Sequence, residues 1–166
     1  MEVIARGGME GIHVGIIGDI KHSRVARSDL IAYSSLGAKV TLVAPRELQP
    51  TDLEHWPVEI TDDLDSILPS LDVIGLLRIQ KERMDKTVAT SLDDYVDRYG
   101  ITESRAKGIN DDVVIVHPGP VNRGIEIASE VLDKRVNVLV NQQVTNGVAV
   151  RMAVLFRLLG SGIEID

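Results

Sequence analysis

The chain has 166 residues, enough for one domain that buries roughly two thirds or more of its unfolded surface and too few for a second of ordinary size. Its composition, 44% apolar and 26% charged, excludes disorder and a fibrous form, and a formal charge of -7 argues against a nonspecific nucleic-acid partner, which needs a basic surface. The absence of cysteine excludes disulfides, thiolate metal sites and a cysteine nucleophile, which fits a reducing cytoplasm; no apolar run approaches the ~20 residues of a membrane span.

Strands and helices alternate along the chain. A strand over 12–17 runs into a cationic turn, Gly18-Asp19-Ile20-Lys21-His22-Ser23-Arg24, that opens a helix over about 22–36 ending at Gly37. A strand over 39–43, a turn at Pro45, a short helix near 51–56 and a strand over 57–60 follow. Next come a helix near 62–68, a strand over 72–77, helical segments within 81–108 and a strand over 112–116. The His117-Pro118-Gly119-Pro120 loop, a helix over 124–132 and a long helix over about 139–159 complete the series. Short apolar runs such as Val40-Thr41-Leu42-Val43 and Val113-Val114-Ile115-Val116 suit strands covered on both faces. The pattern predicts a single α/β domain, a doubly wound and mostly parallel sheet of five strands with helices on both faces, Rossmann-like.

Three segments at strand ends carry the chemistry. The first is the turn ending in Arg24, where helix amides and a guanidinium can hold a carboxylate. Here an arginine can also cap its own turn or pair with Asp19. The second is Leu77-Arg78-Ile79-Gln80-Lys81-Glu82-Arg83, in which Arg78 and Gln80 alternate on extended chain and point the same way. A surface ion pair is the plainer use of such an arginine. The third is His117-Pro118-Gly119-Pro120, whose prolines remove donors and make Gly119-Pro120 a candidate for the cis form. Its plainer use is a rigid turn. Small-anion binding is the default for basic and amide-bearing turns at the carboxyl ends of parallel strands. His13, His22 and His55 lack ligand spacing, so no metal site follows, and there is no Gly-x-Gly-x-x-Gly for a dinucleotide.

Together these segments resemble the C-terminal, aspartate-binding half of the aspartate carbamoyltransferase family, over nearly the whole chain. The resemblance implies transfer of a carbamoyl group from carbamoyl phosphate to L-aspartate in pyrimidine synthesis, with no cofactor. It assigns L-aspartate to Arg24, Arg78 and Gln80 and the carbamoyl group of carbamoyl phosphate to Gly119 and Pro120; His117 reads as structural rather than as a general base. Ornithine carbamoyltransferases carry His-Cys-Leu-Pro where this chain has His-Pro-Gly-Pro, which favours aspartate as acceptor. The family's Ser-Thr-Arg-Thr phosphate motif is missing, so a carbamoyl phosphate-binding half, or full-length subunits of a trimer-type assembly, are the implied partners. On this reading residues 1–8 are the remnant of an interdomain helix, and the charged, interrupted segment from Glu82 to Gly108, which by its residues alone reads equally as a lid or as a solvated pair of surface helices, is a flexible loop that closes on aspartate. The terminal helix has two apolar stripes, Val148, Met152, Leu155, Phe156 and Leu159 and then Val150, Val154 and Leu158, which are expected to pack on the missing half. The isolated chain is then expected to turn over negligibly. A noncatalytic module that docks on a full-length transferase, and a carbamoyltransferase for another amino acid, are the alternatives.

Overall fold

The computed structural model describes residues 8–51, 58–80 and 91–160. Five parallel strands form its centre: β1 (His13–Ile17), β2 (Lys39–Val43), β3 (Glu59–Thr61), β4 (Val73–Leu76) and β5 (Val114–Val116), in the order β3-β2-β1-β4-β5. The expected mostly parallel sheet is wholly parallel. Val14, Ile16, Leu42, Ile74 and Ile115 are buried at its heart, as continuous apolar runs covered on both faces require. The helices are α1 (Arg24–Ser35), α2 (Leu64–Ile67), α3 (Leu92–Tyr99), α4 (Glu103–Ala106), α5 (Ser129–Lys134) and α6 (Val140–Leu159).

Strand order reverses between β1 and β4. From β1 the chain steps outward to β2 and β3, then returns to place β4 and β5 on the other side of β1. The segments leaving β1 and β4 therefore flank the switch point, where open α/β sheets leave a crevice. Glycine allows the close approach inside the sheet as well: a Cβ on Gly15 would lie 2.6 Å from the Leu71 side chain.

Several boundaries differ from expectation. The helix foreseen over 124–132 begins only at Ser129. Gly124 has φ +79, its N–H donates to the Ile127 carbonyl, residues 124–126 form a turn, and Ile127 bridges to Ile101, where the Ile101 N–H bonds the Glu126 carbonyl and the Ala128 N–H bonds the Ile101 carbonyl. Tertiary pairing thus claims backbone groups that a helix would have used. Ser23 caps α1 by accepting from the Ala26 N–H, so that helix starts at Arg24 rather than 22. The Pro45 turn continues into a 3-10 turn at Arg46–Leu48. The short helix expected near 51–56 and the remnant helix over 1–8 lie almost wholly outside the described residues. So do residues 82–90 of the segment from Glu82 to Gly108. Its remainder forms the pair of helices that is the alternative to a closing loop, α3, capped by a reciprocal Ser91–Asp94 box, and α4, with Tyr95 and Tyr99 buried rather than solvated.

The terminal helix inverts the usual pattern. None of the residues of α6 is buried, and Phe156 is 75% exposed. An apolar groove of about 800 Å³ runs between α6 and the sheet, bordered by Met9, Tyr33, Val73, Val116, Val150 and Leu155.

Candidate functional site

At the switch point, β1 gives way to Gly18, whose φ of +132 only glycine adopts easily. A Cβ there would lie 3.0 Å from Leu77 Cβ and 3.1 Å from the Leu77 carbonyl oxygen, so glycine also lets the first turn press against the exit of β4. The Leu77 N–H donates to the Ile17 carbonyl at 2.8 Å and extends the β1–β4 ladder by one step. Asp19 follows, buried, with Oδ1 accepting from the His22 N–H at 3.2 Å and lying 2.8 Å from His22 Nδ1. Arg24 is exposed on the first turn of α1; the capping role belongs to Ser23.

Beyond Leu77 the side chains alternate as the extended reading requires. Leu77 and Ile79 are buried, Arg78 is exposed and Gln80 is partly exposed. Among the described residues no ion pair engages Arg24 or Arg78. Lys81, Glu82 and Arg83 lie outside the described residues.

The third exit, from β5, is held by its own histidine. His117 is fully buried, its backbone N–H donates to Gln143 Oε1 at 3.1 Å, and its Nδ1 accepts from the Gly119 N–H at 2.8 Å. Burial, reinforced by the positive charge of Arg78, lowers its pKa to about 4. The ring is therefore neutral at pH 7, with Nδ1 unprotonated as the Gly119 bond demands. The Gly119-Pro120 bond is cis, with Gly119 at φ +69. These two residues also border a cavity of about 310 Å³ that includes Arg123, Asp133 and Val144. Its cation is already paired, since Arg123 donates two bonds to Asp133 at 2.7 and 2.8 Å.

Beneath the exits of β4 and β5 sits a buried carboxylate. Glu126 is 1% exposed, and its Oε1 accepts from the Ile79 N–H and from Asn122 Nδ2, both at 2.8 Å. Its Oε2 accepts from the Asn122 N–H at 2.6 Å and lies 3.9 Å from His117 Nε2. Asn122 Nδ2 also donates to the Ile79 carbonyl at 2.9 Å. Burial raises the Glu126 pKa, opposed by the donors from Ile79 and Asn122.

Residues 10–158 match the family described as aspartate/ornithine carbamoyltransferase, Asp/Orn binding domain. The chain belongs to this family. It is 48% identical over 158 residues to the aspartate carbamoyltransferase catalytic subunit of Thermobifida fusca, covering 95% of this chain and 50% of that protein. Against the catalytic subunit from Acidothermus cellulolyticus the identity is 49%, covering 94% of this chain and 48% of the relative. Among solved structures, the catalytic subunit of M. jannaschii aspartate transcarbamoylase superposes with a TM-score of 0.78 at 27% identity, over 96% of this chain and 54% of that one. The chain thus spans about half the length of these relatives. An ornithine carbamoyltransferase from Pyrococcus furiosus shares the fold, with a TM-score of 0.81 at 24% identity, over 98% of this chain and 54% of that one.

Within this carbamoyltransferase domain, the sequence-derived candidates divide between three loops on adjacent strands: Arg24 after β1, Arg78 and Gln80 after β4, Gly119 and Pro120 after β5. Sequence reasoning missed Glu126 and gave Asn122 no role. The available signal was a glutamate between Ile125 and Ile127, a charge set inside an apolar pair. Among the described residues no group of acidic, histidine or cysteine side chains could hold a metal ion, and no helix is long and apolar enough to cross a membrane.

Proposed function

We propose that this chain is the aspartate-binding part of an aspartate carbamoyltransferase of de novo pyrimidine synthesis. The observation that carries the reading is that β1, β4 and β5, adjacent and parallel, end on the same edge of the sheet beside the switch point between β1 and β4, with two arginines there outside any ion pair among the described residues. Relatives at 48% and 49% identity named aspartate carbamoyltransferase catalytic subunits support aspartate as the acceptor. In this reading Arg24 takes the α-carboxylate of L-aspartate, and Arg78 with Gln80 takes the second carboxylate. Gly119 and Pro120 orient the carbamoyl group, through carbonyl oxygens that face the incoming amine.

The reaction needs no cofactor. The aspartate amine attacks the carbamoyl carbon, the new C–N bond forms, and the C–O bond to phosphate breaks with its electron pair leaving on phosphate while the nitrogen releases a proton. Catalysis then consists of placing two anionic reactants together and stabilising the developing oxyanion. The phosphate ligands belong to a carbamoyl phosphate-binding half, supplied by another chain or by full-length subunits in a trimeric assembly in the cytoplasm. The exposed apolar face of α6 and the groove beside it are where that half packs.

The test is carbamoyl aspartate formation by the purified chain, alone and mixed with a separately expressed carbamoyl phosphate-binding half, with Arg78→Ala as control. Activity only on mixing, lost in the control, is the expected result. Activity by the chain alone refutes dependence on a second half, and silence in both arms favours the second reading. That reading, a noncatalytic module docking on a full-length transferase, draws on the bare α6 face and predicts copurification with such a subunit.

A further inference from the structure

We infer that Glu126 is a positioning residue: its buried carboxylate, with Asn122, sets where the Arg78–Gln80 segment stands relative to the loop that carries Gly119 and Pro120. The inference deepens the proposed function and rests on it only for the identity of the ligand.

The argument starts from where the sheet stops. Register pairing of β1 with β4 ends at Ile17 and Leu76, the Leu77 N–H adds one more bond, and pairing of β4 with β5 ends at Gly75 and Val116. Residues 78–80 and 117–120 therefore project beyond any ladder, where extended chain has no partner strand to fix it. Buried backbone polar groups in such a place still need partners. Ile79, flanked by the two candidate ligand-binding side chains, receives both from one source: its N–H donates to Glu126 Oε1 at 2.8 Å and its carbonyl accepts from Asn122 Nδ2 at 2.9 Å. The ring closes because the same Nδ2 reaches Oε1 at 2.8 Å and the Asn122 N–H reaches Oε2 at 2.6 Å.

Side chains from the third loop thus stand in for a neighbouring strand. Because Ile79 points inward, its fixed backbone turns Arg78 and Gln80 outward, and a shift of Ile79 moves both. On the other side, Oε2 lies 3.9 Å from His117 Nε2, a buried nitrogen with no hydrogen-bond partner, whose Nδ1 holds the Gly119 N–H. Glu126 therefore stands between the two loops that would meet the two reactants. The contacts from Ile79 and Asn122 are all N–H donors, which favour the ionised carboxylate against the burial that raises its pKa.

The test is Glu126→Gln in the full chain, compared with Leu64→Ala, a core truncation in α2 that lowers stability without touching the loops. Glutamine keeps the volume but sets an amide donor against the donor of Ile79 or Asn122. Amide hydrogen exchange and ¹⁵N–¹H spectra are recorded for each protein, and L-aspartate is then titrated in. The expected result is faster exchange at Ile79 and displaced signals for residues 78–80, with β1 amides unchanged, and affinity for L-aspartate reduced by about 10-fold or more, the size of one lost charge-assisted hydrogen bond. Leu64→Ala is expected to leave both unchanged. Undisturbed 78–80 signals in Glu126→Gln, or an affinity loss matched by Leu64→Ala, overturns the inference. Release of 78–80 in a chain that binds no L-aspartate upholds the positioning role and refutes the proposed ligand instead. Should Glu126→Gln fail to fold, Asn122→Ala removes only the side-chain bonds to Ile79 and Oε1 and carries the same test.

Discussion

The cluster at the strand ends and the terminal helix break the same rule in opposite directions. Glu126 and His117 are polar and buried, while Phe156, Leu158 and Leu159 are apolar and more than two thirds exposed. The first inversion is held within the domain by the N–H groups of Ile79 and Asn122, which oppose the desolvation of Glu126, while the buried His117 is kept neutral. The second has no such answer among the described residues. Burying each large apolar side chain is worth ~1.5 to 3 kcal/mol, and α6 gains little of this from the described residues. Glu126 thus finds its partners inside the domain, whereas the apolar stripes of α6 find no cover among the described residues.

The sharpest way to break this comparison is Glu126→Ala. It strands the amides of Ile79 and Asn122 in the interior, and a loss of about 3 to 5 kcal/mol in urea unfolding is expected. A loss below about 1 kcal/mol would mean that water replaces the carboxylate and that the cluster is not locally complete. Next in size is the contrast between apolar truncations. Leu30→Ala, in the core, is expected to cost about 2 to 5 kcal/mol, whereas Phe156→Ala on α6 stays within about 0.5 kcal/mol in the isolated chain. Phe156→Ala combined with Met152→Ala is expected to weaken association with the proposed carbamoyl phosphate-binding half, read by sedimentation. Equal stability losses at Leu30 and Phe156 would show that α6 is covered within the chain itself.

Smaller effects come from pH. The folded state holds the His117 pKa at about 4 against an ordinary 6.5, so between these values the unfolded chain takes up a proton that the folded one refuses. Its contribution to stability is complete above about pH 6.5 and falls as pH drops towards 4. Asp29 acts in the opposite sense, because burial raises its pKa from 3.8 to about 6 and the folded state keeps a proton that the unfolded chain has released. Asp29→Asn removes that opposing slope. The variant is expected to gain on the order of 1 kcal/mol over the parent at pH 7, discounted for solvent at a half-buried position, and nothing at pH 4, as followed by thermal unfolding. A pH-independent difference would show that Asp29 titrates normally.

Elements with a strong local signature were legible. The runs of β1, β2, β4 and β5 are short and nearly continuously apolar, as strands covered on both faces are, and Gly37, at φ +90, marks the end of α1. The helix expected over 124–132 failed because Ile101, more than twenty residues away, pairs with this segment. Glu126 escaped notice for the same reason: its role depends on Ile79 and His117, which only folding brings together.

The sequence by itself determined the order of the strands and the three loops whose residue types suit anions, since these follow from apolar runs, turn residues and side-chain chemistry along one stretch of chain. Only the tertiary structure decided that the β1 and β4 loops flank the switch point, that a buried glutamate joins the β4 and β5 loops, and that α6 stays bare. Those outcomes depend on which distant groups share a hydrogen bond or exclude water from one another, and sequence spacing does not encode that choice.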